Sequence, residues 1–241
     1  MRILLLGGTA EASLLARKLA DAGLDAIFSY AGRTLNPVAQ PLPTRTGGFG
    51  GAEGLADYLR QNRITHLIDA THPFAAQISR NAVAAAQASG TVLAALERPA
   101  WAAQPGDDWT HVPDTQAAAR TLPHEPTGVF LAIGRQTLEP FAPLPHRWLL
   151  RFAEFDRSQP VPLGATLITS RGPYTLAGDM ALLQDHDIRI VVTKNAGGDA
   201  ARAKLDAARA LRLPVILIDR PALPPRLALP DAGAVMDWLQ G

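Results

Sequence analysis

The chain opens with the sequence MRILLLGGTAEA, residues Met1 to Ala12, and this stretch decides the fold. An apolar run from Ile3 to Leu6 breaks at Gly7 to Thr9 and continues as the start of a helix. A buried strand that leads through a glycine turn into a helix N-terminus leaves backbone N–H groups aimed at one point, which suits a phosphate. The sequence therefore predicts a phosphate-binding turn, with a plain tight turn as the alternative.

The tip of the second predicted strand indicates which cofactor carries this phosphate. Arg33 stands 26 residues after Gly7, and an arginine at this tip accommodates a 2′-phosphate where an acid would bind the ribose 2′-hydroxyl. The sequence therefore predicts NADP(H) in preference to NAD. The turn is not G-x-G-x-x-G, because Thr9 and Ala12 occupy the second and third glycine positions. Glu11 is either a first-turn acid favourable to the helix dipole or a contact to a ligand hydroxyl.

The composition limits the class of protein. The chain has 241 residues, a hydrophobic fraction of 47% and a formal net charge of +1. This length suits two compact domains, and a near-neutral charge gives no global reason to bind nucleic acid or a membrane. The N-terminus begins directly with a core strand instead of a signal peptide, and no apolar run reaches about 18 residues. We therefore expect a soluble, cytoplasmic protein.

The reactive side chains are also restricted. Cysteine is absent, which excludes disulfides, thiolate catalysis and cysteine metal ligands. Six scattered histidines lack metal-ligand spacing, so no metal is expected. Lysine occurs only at Lys18, Lys194 and Lys204, so arginine carries most of the positive charge. A GC-rich genome explains this bias without any function, but arginine also suits bidentate binding of carboxylates.

Strand and helix patterns alternate with glycines between them, which indicates a parallel α/β fold. A stretch rich in Pro, Trp and Asp between Arg98 and Asp114 indicates a crossover. We predict two Rossmann-like parallel-sheet domains, residues 1–98 and 99–241, with the active site in the cleft between them. Pro221 to Pro230 is expected to be irregular, before a last helix through Val235 and Leu239. The predicted strands are Ile3 to Leu6, Ala26 to Tyr30, His66 to Ala70, Val92 to Leu96, Val129 to Ile133, Trp148 to Phe152, Thr166 to Thr169, Ile190 to Thr193 and Val215 to Ile218.

Ligands of open α/β sheets bind beyond the carboxyl ends of the strands, where the polar, glycine-rich segments of this chain fall. Gly47 to Gly51 surrounds Phe49 with glycines, which suits a flat ligand stacked on the ring; a flexible loop is the alternative. Lys194 to Gly198 follows a strand and opens a helix, which predicts either a second anion site or a solvated loop lysine.

The catalytic residue stays unassigned. His72, at a strand tip, and Tyr174, after Gly172-Pro173, are candidates, with packing or hydrogen bonding as the alternative role. Asp69 lies inside the predicted strand and is expected to cap or buttress the following loop.

Six stretches, in order over nearly the whole chain, carry a family resemblance. They are LLGGTAEA (5–12), AGRT (31–34), GGFGG (47–51), DATHPFA (69–75), RPAW (98–101) and KNAGG (194–198). Together they resemble the precorrin-6A reductases of cobalamin biosynthesis, including the cobalt-precorrin-6A relatives. Ala196 departs from the serine or threonine expected in many relatives. The resemblance implies NADPH-dependent reduction of precorrin-6A to precorrin-6B, with hydride delivered to C19 and a proton to C18.

The motifs and the resemblance together assign residues to the two ligands. The predicted cofactor-binding residues are Gly7, Gly8, Thr9, Ala10, Glu11, Arg33, Thr34, Lys194, Asn195, Gly197 and Gly198. The predicted substrate-binding residues are Arg45, Gly48, Phe49, Thr71, His72, Arg98, Arg135, Arg151, Ser170 and Arg171. The arginines are included as a set because the tetrapyrrole carries acetate and propionate groups, and for each arginine alone a surface charge is the alternative.

Other functions stay open at this point. A short-chain-type reductase acting on a small carbonyl compound needs a Tyr-x-x-x-Lys pair, but Tyr58 is followed by Asn62 and Tyr174 by Gly178 at that spacing. A non-catalytic NADP(H)-binding module would not need a second loop-rich domain. The cobalt-containing substrate is a further alternative. Beyond its ligands, we expect transient contacts with neighbouring pathway enzymes.

Overall fold

The computed structural model describes residues 1–32, 38–134, 137–153 and 160–241, and it contains two α/β units, each with a six-stranded parallel sheet. Met1–Pro99 and Ala222–Gly241 form the first unit, and Ala100–Pro221 form the second. The predicted class of two parallel-sheet α/β domains is confirmed. The predicted boundaries need one correction, because Ala222–Gly241 belong to the first unit and not to the second.

The first unit follows the predicted alternation. Its elements up to residue 96 are β1 (Ile3–Leu6), α1 (Ala10–Asp21), β2 (Ala26–Tyr30), β3 (Thr44–Thr46), α2 (Gly51–Gln61), β4 (His66–Asp69), α3 (Ala76–Ser89) and β5 (Val92–Leu96). The strand order is β3-β2-β1-β4-β5. The chain crosses from one side of β1 to the other between β3 and β4, which is the switch point where a Rossmann-type sheet opens a crevice.

The second unit repeats this strand order. Its elements are β6 (Trp109–Val112), α4 (Thr115–Thr121), β7 (Gly128–Ala132), β8 (Arg147–Phe152), β9 (Thr166–Thr169), α5 (Leu176–Asp185), β10 (Ile190–Lys194), α6 (Ala203–Ala210) and β11 (Val215–Ile218). The sheet order is β9-β8-β7-β10-β11-β6. Here β7 and β10 take the central places that β1 and β4 take in the first unit, with a short 3-10 turn at Glu139–Phe141 between β7 and β8.

Each sheet also has an edge strand from outside its own five-strand series. The chain leaves the first unit after β5 and forms β6 beside β11; after β11 it returns as β12 (Leu227–Leu229) beside β5 and ends in α7 (Ala232–Gln240). β6 lies in the crossover predicted between Arg98 and Asp114, where no strand was predicted, and β12 lies in the segment Pro221 to Pro230 that the sequence predicts to be irregular. The prediction for this second segment is wrong because a short strand among prolines depends on pairing with a neighbour more than on local pattern.

The side chains of β1 divide the core of the first unit between two faces. Ile3 and Leu5 pack with α1 and α7, whereas Leu4 and Leu6 pack with α2 and α3. This alternation is the normal consequence of the two-residue strand period. Because Val235 on α7 completes the α1 face, the C-terminal segment is part of the core of the first unit. Among the described residues, no helix combines the length and apolar character needed to span a membrane.

Candidate active site

A cleft of about 550 Å³ opens in the first unit at the carboxyl ends of β1 to β4. Its walls come from the turn after β1, the tip of β2, the glycine loop after β3 and the segment from β4 into α3. Six residues that the sequence analysis selected line this cleft: Gly7, Gly8, Gly48, Phe49, Thr71 and His72. Four separate segments of sequence therefore meet where an open α/β sheet binds its ligand.

The two glycines of the β1 turn are required for different reasons. A Cβ atom on Gly7 would lie 2.0 Å from Cζ of Phe28, which is fully buried, so only glycine fits against this ring. Gly8 has a φ of +124°, a conformation that favours glycine, and a Cβ there would meet no atom within 4 Å. Gly7 therefore serves packing, while Gly8 keeps the backbone open toward the cleft that it lines.

The turn is linked to the loop after β4. The Thr9 hydroxyl caps α1 by accepting from the amide of Ala12 at 3.1 Å, and it donates to the Ala70 carbonyl at 2.9 Å. The buried Asp69 carboxylate accepts from the amide of Thr71 at 3.1 Å and from its hydroxyl at 2.6 Å. The expectation that Asp69 buttresses this loop is confirmed. The Thr9 and Thr71 hydroxyl protons are thus used in holding the two loops.

Glu11 and Arg98 form an ion pair at the start of α1. Arg98 Nη1 lies 2.7 Å from Glu11 Oε2, and the two side chains are 18% and 30% exposed, respectively. From the sequence, Glu11 is predicted to bind the cofactor and Arg98 the substrate. The structure brings these two residues into direct contact with each other.

His72 is exposed at the edge of the cleft. Its Nδ1 accepts a hydrogen bond from the amide of Phe74 at 3.2 Å. Because Nδ1 is an acceptor, a neutral ring carries its hydrogen on Nε2. The side chain is thus oriented by its own loop, with the second nitrogen as its proton-bearing atom.

Arg45 holds the glycine loop that follows β3. Its Nη1 donates to Ser29 Oγ at 2.8 Å and to the Gly47 carbonyl at 3.0 Å, and its Nη2 donates to the Gly48 carbonyl at 3.1 Å. The guanidinium carbon lies 3.9 Å from the centre of the Phe49 ring. Phe49 is half-buried against the α2 and α3 core, so the loop is anchored at its centre. Arg45, predicted to bind substrate, here binds the loop of its own unit.

In the second unit, Arg151 on β8 pairs with Asp179 on α5. Two hydrogen bonds of 2.5 and 3.2 Å join the side chains, which are 8% and 4% exposed. The guanidinium carbon lies 3.6 Å from the centre of the Tyr174 ring, and the Tyr174 hydroxyl donates to the Ser170 carbonyl at 2.9 Å. A substrate-binding role for Arg151 would require this buried pair to open.

The loop after β10 is joined to the segment that enters the second unit. The buried Asn195 side chain accepts from the amide of Trp101 at 2.8 Å and donates to its carbonyl at 3.2 Å. The Trp101 indole donates to the Gly198 carbonyl at 2.8 Å. Two of the quoted motifs, RPAW and KNAGG, are therefore in contact.

Burial lowers the pKa of the Lys194 amine below its ordinary value. Because α6 begins only at Ala203, the prediction that this loop opens a helix directly is wrong.

Several cleft residues were not selected from the sequence. Tyr30 lies at the β2 tip and donates its hydroxyl to the Val38 carbonyl at 2.7 Å. Phe74 lies just before α3, and Ile78 and Asn81 lie on α3 itself. Ile78 and Asn81 are three residues apart and therefore share a helix face. Because they lie near the start of a helix that follows a strand, this spacing could have identified them in the sequence as cleft residues.

Some predicted residues are not tested by these contacts. Arg33, Thr34 and Arg135 lie outside the described residues, so their assignments stay predictions. Ser170 and Arg171 follow β9, and Arg171 is exposed. Within the described ranges, no three histidine, aspartate or glutamate side chains come together as a metal site would need.

Two Rossmann-type strand orders, with glycine-rich loops at the strand ends and a cleft at the first switch point, define a two-unit α/β protein of the Rossmann-like class of folds. The family model described as Precorrin-6x reductase CbiJ/CobK matches residues 2–240. The chain belongs to this family of precorrin-6x reductases, and the resemblance inferred from the six motifs is confirmed.

Individual relatives agree with this assignment. The chain is 58% identical over 240 residues to the precorrin-6A reductase of Rhodobacter capsulatus, covering 99% of this chain and 95% of that protein. It is 29% identical over 233 residues to the cobalt-precorrin-6A reductase of Priestia megaterium, covering 92% and 91%. The solved structure of a CobK precorrin-6A reductase matches with a TM-score of 0.94 and 56% identity, covering 100% of this chain and 96% of that chain.

Proposed function

We propose that this protein reduces precorrin-6A with NADPH, with hydride delivered to C19 and a proton to C18 to form precorrin-6B. The observation that carries the proposal is a glycine turn between a buried strand and a helix start, with Gly7 and Gly8 lining the cleft, in a member of a reductase family. Relatives named precorrin-6A reductase are 41% to 58% identical, and those named cobalt-precorrin-6A reductase are 28% to 29% identical. This difference supports the cobalt-free substrate, with the cobalt form as the second candidate.

The turn after β1, from Gly7 to Thr9, is the proposed binding site of the cofactor phosphates. The first turn of α1, with Ala10 and Glu11, presents amides that have no intrahelical acceptor, and the helix dipole favours an anion there. Gly8 permits close approach because a Cβ at this position faces open space. Arg33 and Thr34 are proposed to meet the 2′-phosphate. When bound, NADPH supplies the hydride, so the protein has to orient two ligands and exclude water.

The proposal places further ligand contacts on the second unit. The Lys194 amine and the left-handed glycines Gly197 and Gly198, with φ of +70° and +74°, support a second anion site. The Asn195 side chain contributes indirectly, because it fixes the loop through Trp101. Among the predicted substrate-binding arginines of the described ranges, Arg171 is the exposed one at a strand end, which supports a contact with a substrate carboxylate.

We further propose that the proton for C18 comes from water or from the substrate itself. The Tyr174 hydroxyl proton is engaged with a backbone carbonyl, and His72 stands exposed at the cleft edge. The proposal also includes a cytoplasmic location and transient contact with neighbouring pathway enzymes. A protein that only senses NADP(H) would bind the cofactor without consuming it, so turnover separates the two functions.

Cofactor preference is tested by titrating the purified protein with NADPH and NADH. We expect NADPH to bind more tightly, and Arg33→Ala to remove most of the preference, about 2 kcal/mol for one charge-assisted contact. Equal affinities for the two cofactors in the unaltered protein would contradict the assignment of Arg33.

The phosphate turn is tested with Gly8→Val, which adds bulk and backbone strain, and with Thr9→Ala, which removes a hydroxyl. We expect Gly8→Val to abolish NADPH binding and Thr9→Ala to have a milder effect. Gly23→Val is the matched control: Gly23 also has a positive φ and open space for a Cβ, but it lies at the other end of α1. Near-normal NADPH affinity in a folded Gly8→Val protein would show that the turn is only structural.

A further inference from the structure

The ion pair between Glu11 and Arg98 lies at the first turn of α1. Glu11 is the second residue of this helix, and Arg98 comes two residues after the end of β5. The 2.7 Å contact joins residues 87 positions apart. The neighbouring Glu97 holds the arginine segment in place, because its amide donates to the Leu229 carbonyl and its carboxylate pairs with Arg226. The guanidinium is therefore presented to Glu11 by a fixed strand end.

This position creates an electrostatic conflict that the pair resolves. A carboxylate in the first turn of a helix is favourable when the N-terminus has no ligand. A phosphate bound by the same turn would face this carboxylate within about one helix turn, or 5–6 Å. At an effective dielectric constant of about 20, two like charges at that distance weaken binding more than tenfold. A cation bound to the carboxylate cancels most of this repulsion.

We infer that Arg98 is a positioning residue of the cofactor site: it neutralises Glu11 so that the first turn of α1 accepts the pyrophosphate of the dinucleotide. The inference rests on the proposed function, which places the cofactor phosphates at this turn. It assigns to Arg98 a partner within the protein, whereas the sequence analysis assigned it to substrate carboxylates. It also explains how an acid is tolerated beside an anion site.

The inference makes a distinctive prediction for paired substitutions. Arg98→Met leaves the Glu11 charge facing the phosphates, so NADPH affinity falls about tenfold or more. Adding Glu11→Gln removes that charge, so the double variant recovers to within about threefold of the unaltered protein. If Arg98 touched the cofactor directly, the double variant would stay as weak as Arg98→Met. That result, or an unchanged affinity in Arg98→Met, overturns the inference.

A matched control separates this effect from general loss of stability. Arg209→Met breaks the pairs with Asp206 and Asp107 in the second unit, where the Arg209 and Asp206 side chains are each 26% exposed. We expect Arg209→Met to lower the melting temperature to a similar extent but to leave the NADPH dissociation constant within about twofold. If Arg98→Met does not fold, Arg98→Lys keeps the charge, and its affinity is expected within about threefold of the unaltered protein; a tenfold loss in this variant overturns the inference.

The experiment is a fluorescence or calorimetric titration of the full-length variants with NADPH and, separately, with adenosine 2′-phosphate, which has no pyrophosphate. Arg98→Met should weaken NADPH and spare adenosine 2′-phosphate. Equal weakening of both ligands would indicate distortion of the whole site and overturn the inference. Absence of NADPH binding in the unaltered protein would instead refute the proposed function, whereas normal binding with a failed recovery in the double variant refutes only the role of Arg98.

Discussion

Replacing Arg151 with methionine should destabilise the second unit. Arg151 and Asp179 are almost fully buried and share two hydrogen bonds, so the substitution leaves a buried carboxylate without its partner. Breaking a buried pair in this way costs about 3–5 kcal/mol. Methionine keeps much of the apolar stem that packs near Tyr174, so the expected loss comes mainly from Asp179.

Urea denaturation, followed by circular dichroism, measures this loss. The double variant Arg151→Met/Asp179→Leu should recover most of it, because no uncompensated charge is then left inside. Arg147→Met is the control on the same strand: its pair with Asp187 is 60% and 58% exposed, and such surface pairs contribute about 0–1 kcal/mol.

Steady-state kinetics on the same variants separate structure from substrate binding. If Arg151 has a structural role, Arg151→Met lowers the free energy of unfolding. The double variant Arg151→Met/Asp179→Leu then recovers both this free energy and the KM for precorrin-6A of the unaltered protein. A loss below about 1 kcal/mol together with a large rise in the KM for precorrin-6A would refute the reasoning, and it would restore Arg151 as a substrate-binding residue.

The other predictions concern the packing of Gly7, the burial of His146 and the two candidate acids, His72 and Tyr174. Gly7→Ala should cost about 1–3 kcal/mol in urea denaturation, because its Cβ would overlap the buried Phe28 ring, and Phe28→Leu should relieve part of this loss. Burial lowers the pKa of His146 below its ordinary value of 6.5, so the folded protein binds this proton more weakly than the unfolded chain. Stability should therefore be full above pH 6.5 and fall as the pH drops through that value, with a smaller fall in His146→Gln. His72→Ala and Tyr174→Phe should each slow single-turnover hydride transfer by less than about a hundredfold; a roughly thousandfold loss at unchanged ligand affinity would identify a dedicated acid.

Local pattern predicted most of the fold. The run Ile3 to Leu6 and its glycine turn have the hydrophobicity and punctuation that a buried parallel strand and a helix start require, and β1 and α1 form there. The edge strands β3, β6 and β12 were not predicted, because none has an apolar run as long as Ile3 to Leu6 and their stability comes from a neighbouring strand. The return of Ala222–Gly241 to the first unit was not predicted either. The sequence pattern of a helix does not indicate which of the two sheets the helix packs against.

In the candidate site, too, local features were predicted from the sequence, and contacts between residues distant along the chain were not. The turn at Gly8 and the buttressing role of Asp69 depend on the local chain, so the sequence carries that information, whereas the packing of Gly7 depends on Phe28, which is distant in sequence. One partner of Arg45, Ser29, is 16 residues away along the chain, and the partner of Arg151, Asp179, is 28 residues away. A sequence shows that an arginine is near a strand end but not which acid or carbonyl it meets.

The central claim is tested most directly by a single turnover under anaerobic conditions, with the protein in excess over precorrin-6A and with NADPH deuterated at the transferred position. The account predicts loss of nicotinamide absorbance in step with loss of precorrin-6A, and a product that carries the deuterium at C19. Binding of both ligands without oxidation of NADPH, or deuterium at another carbon, would contradict it.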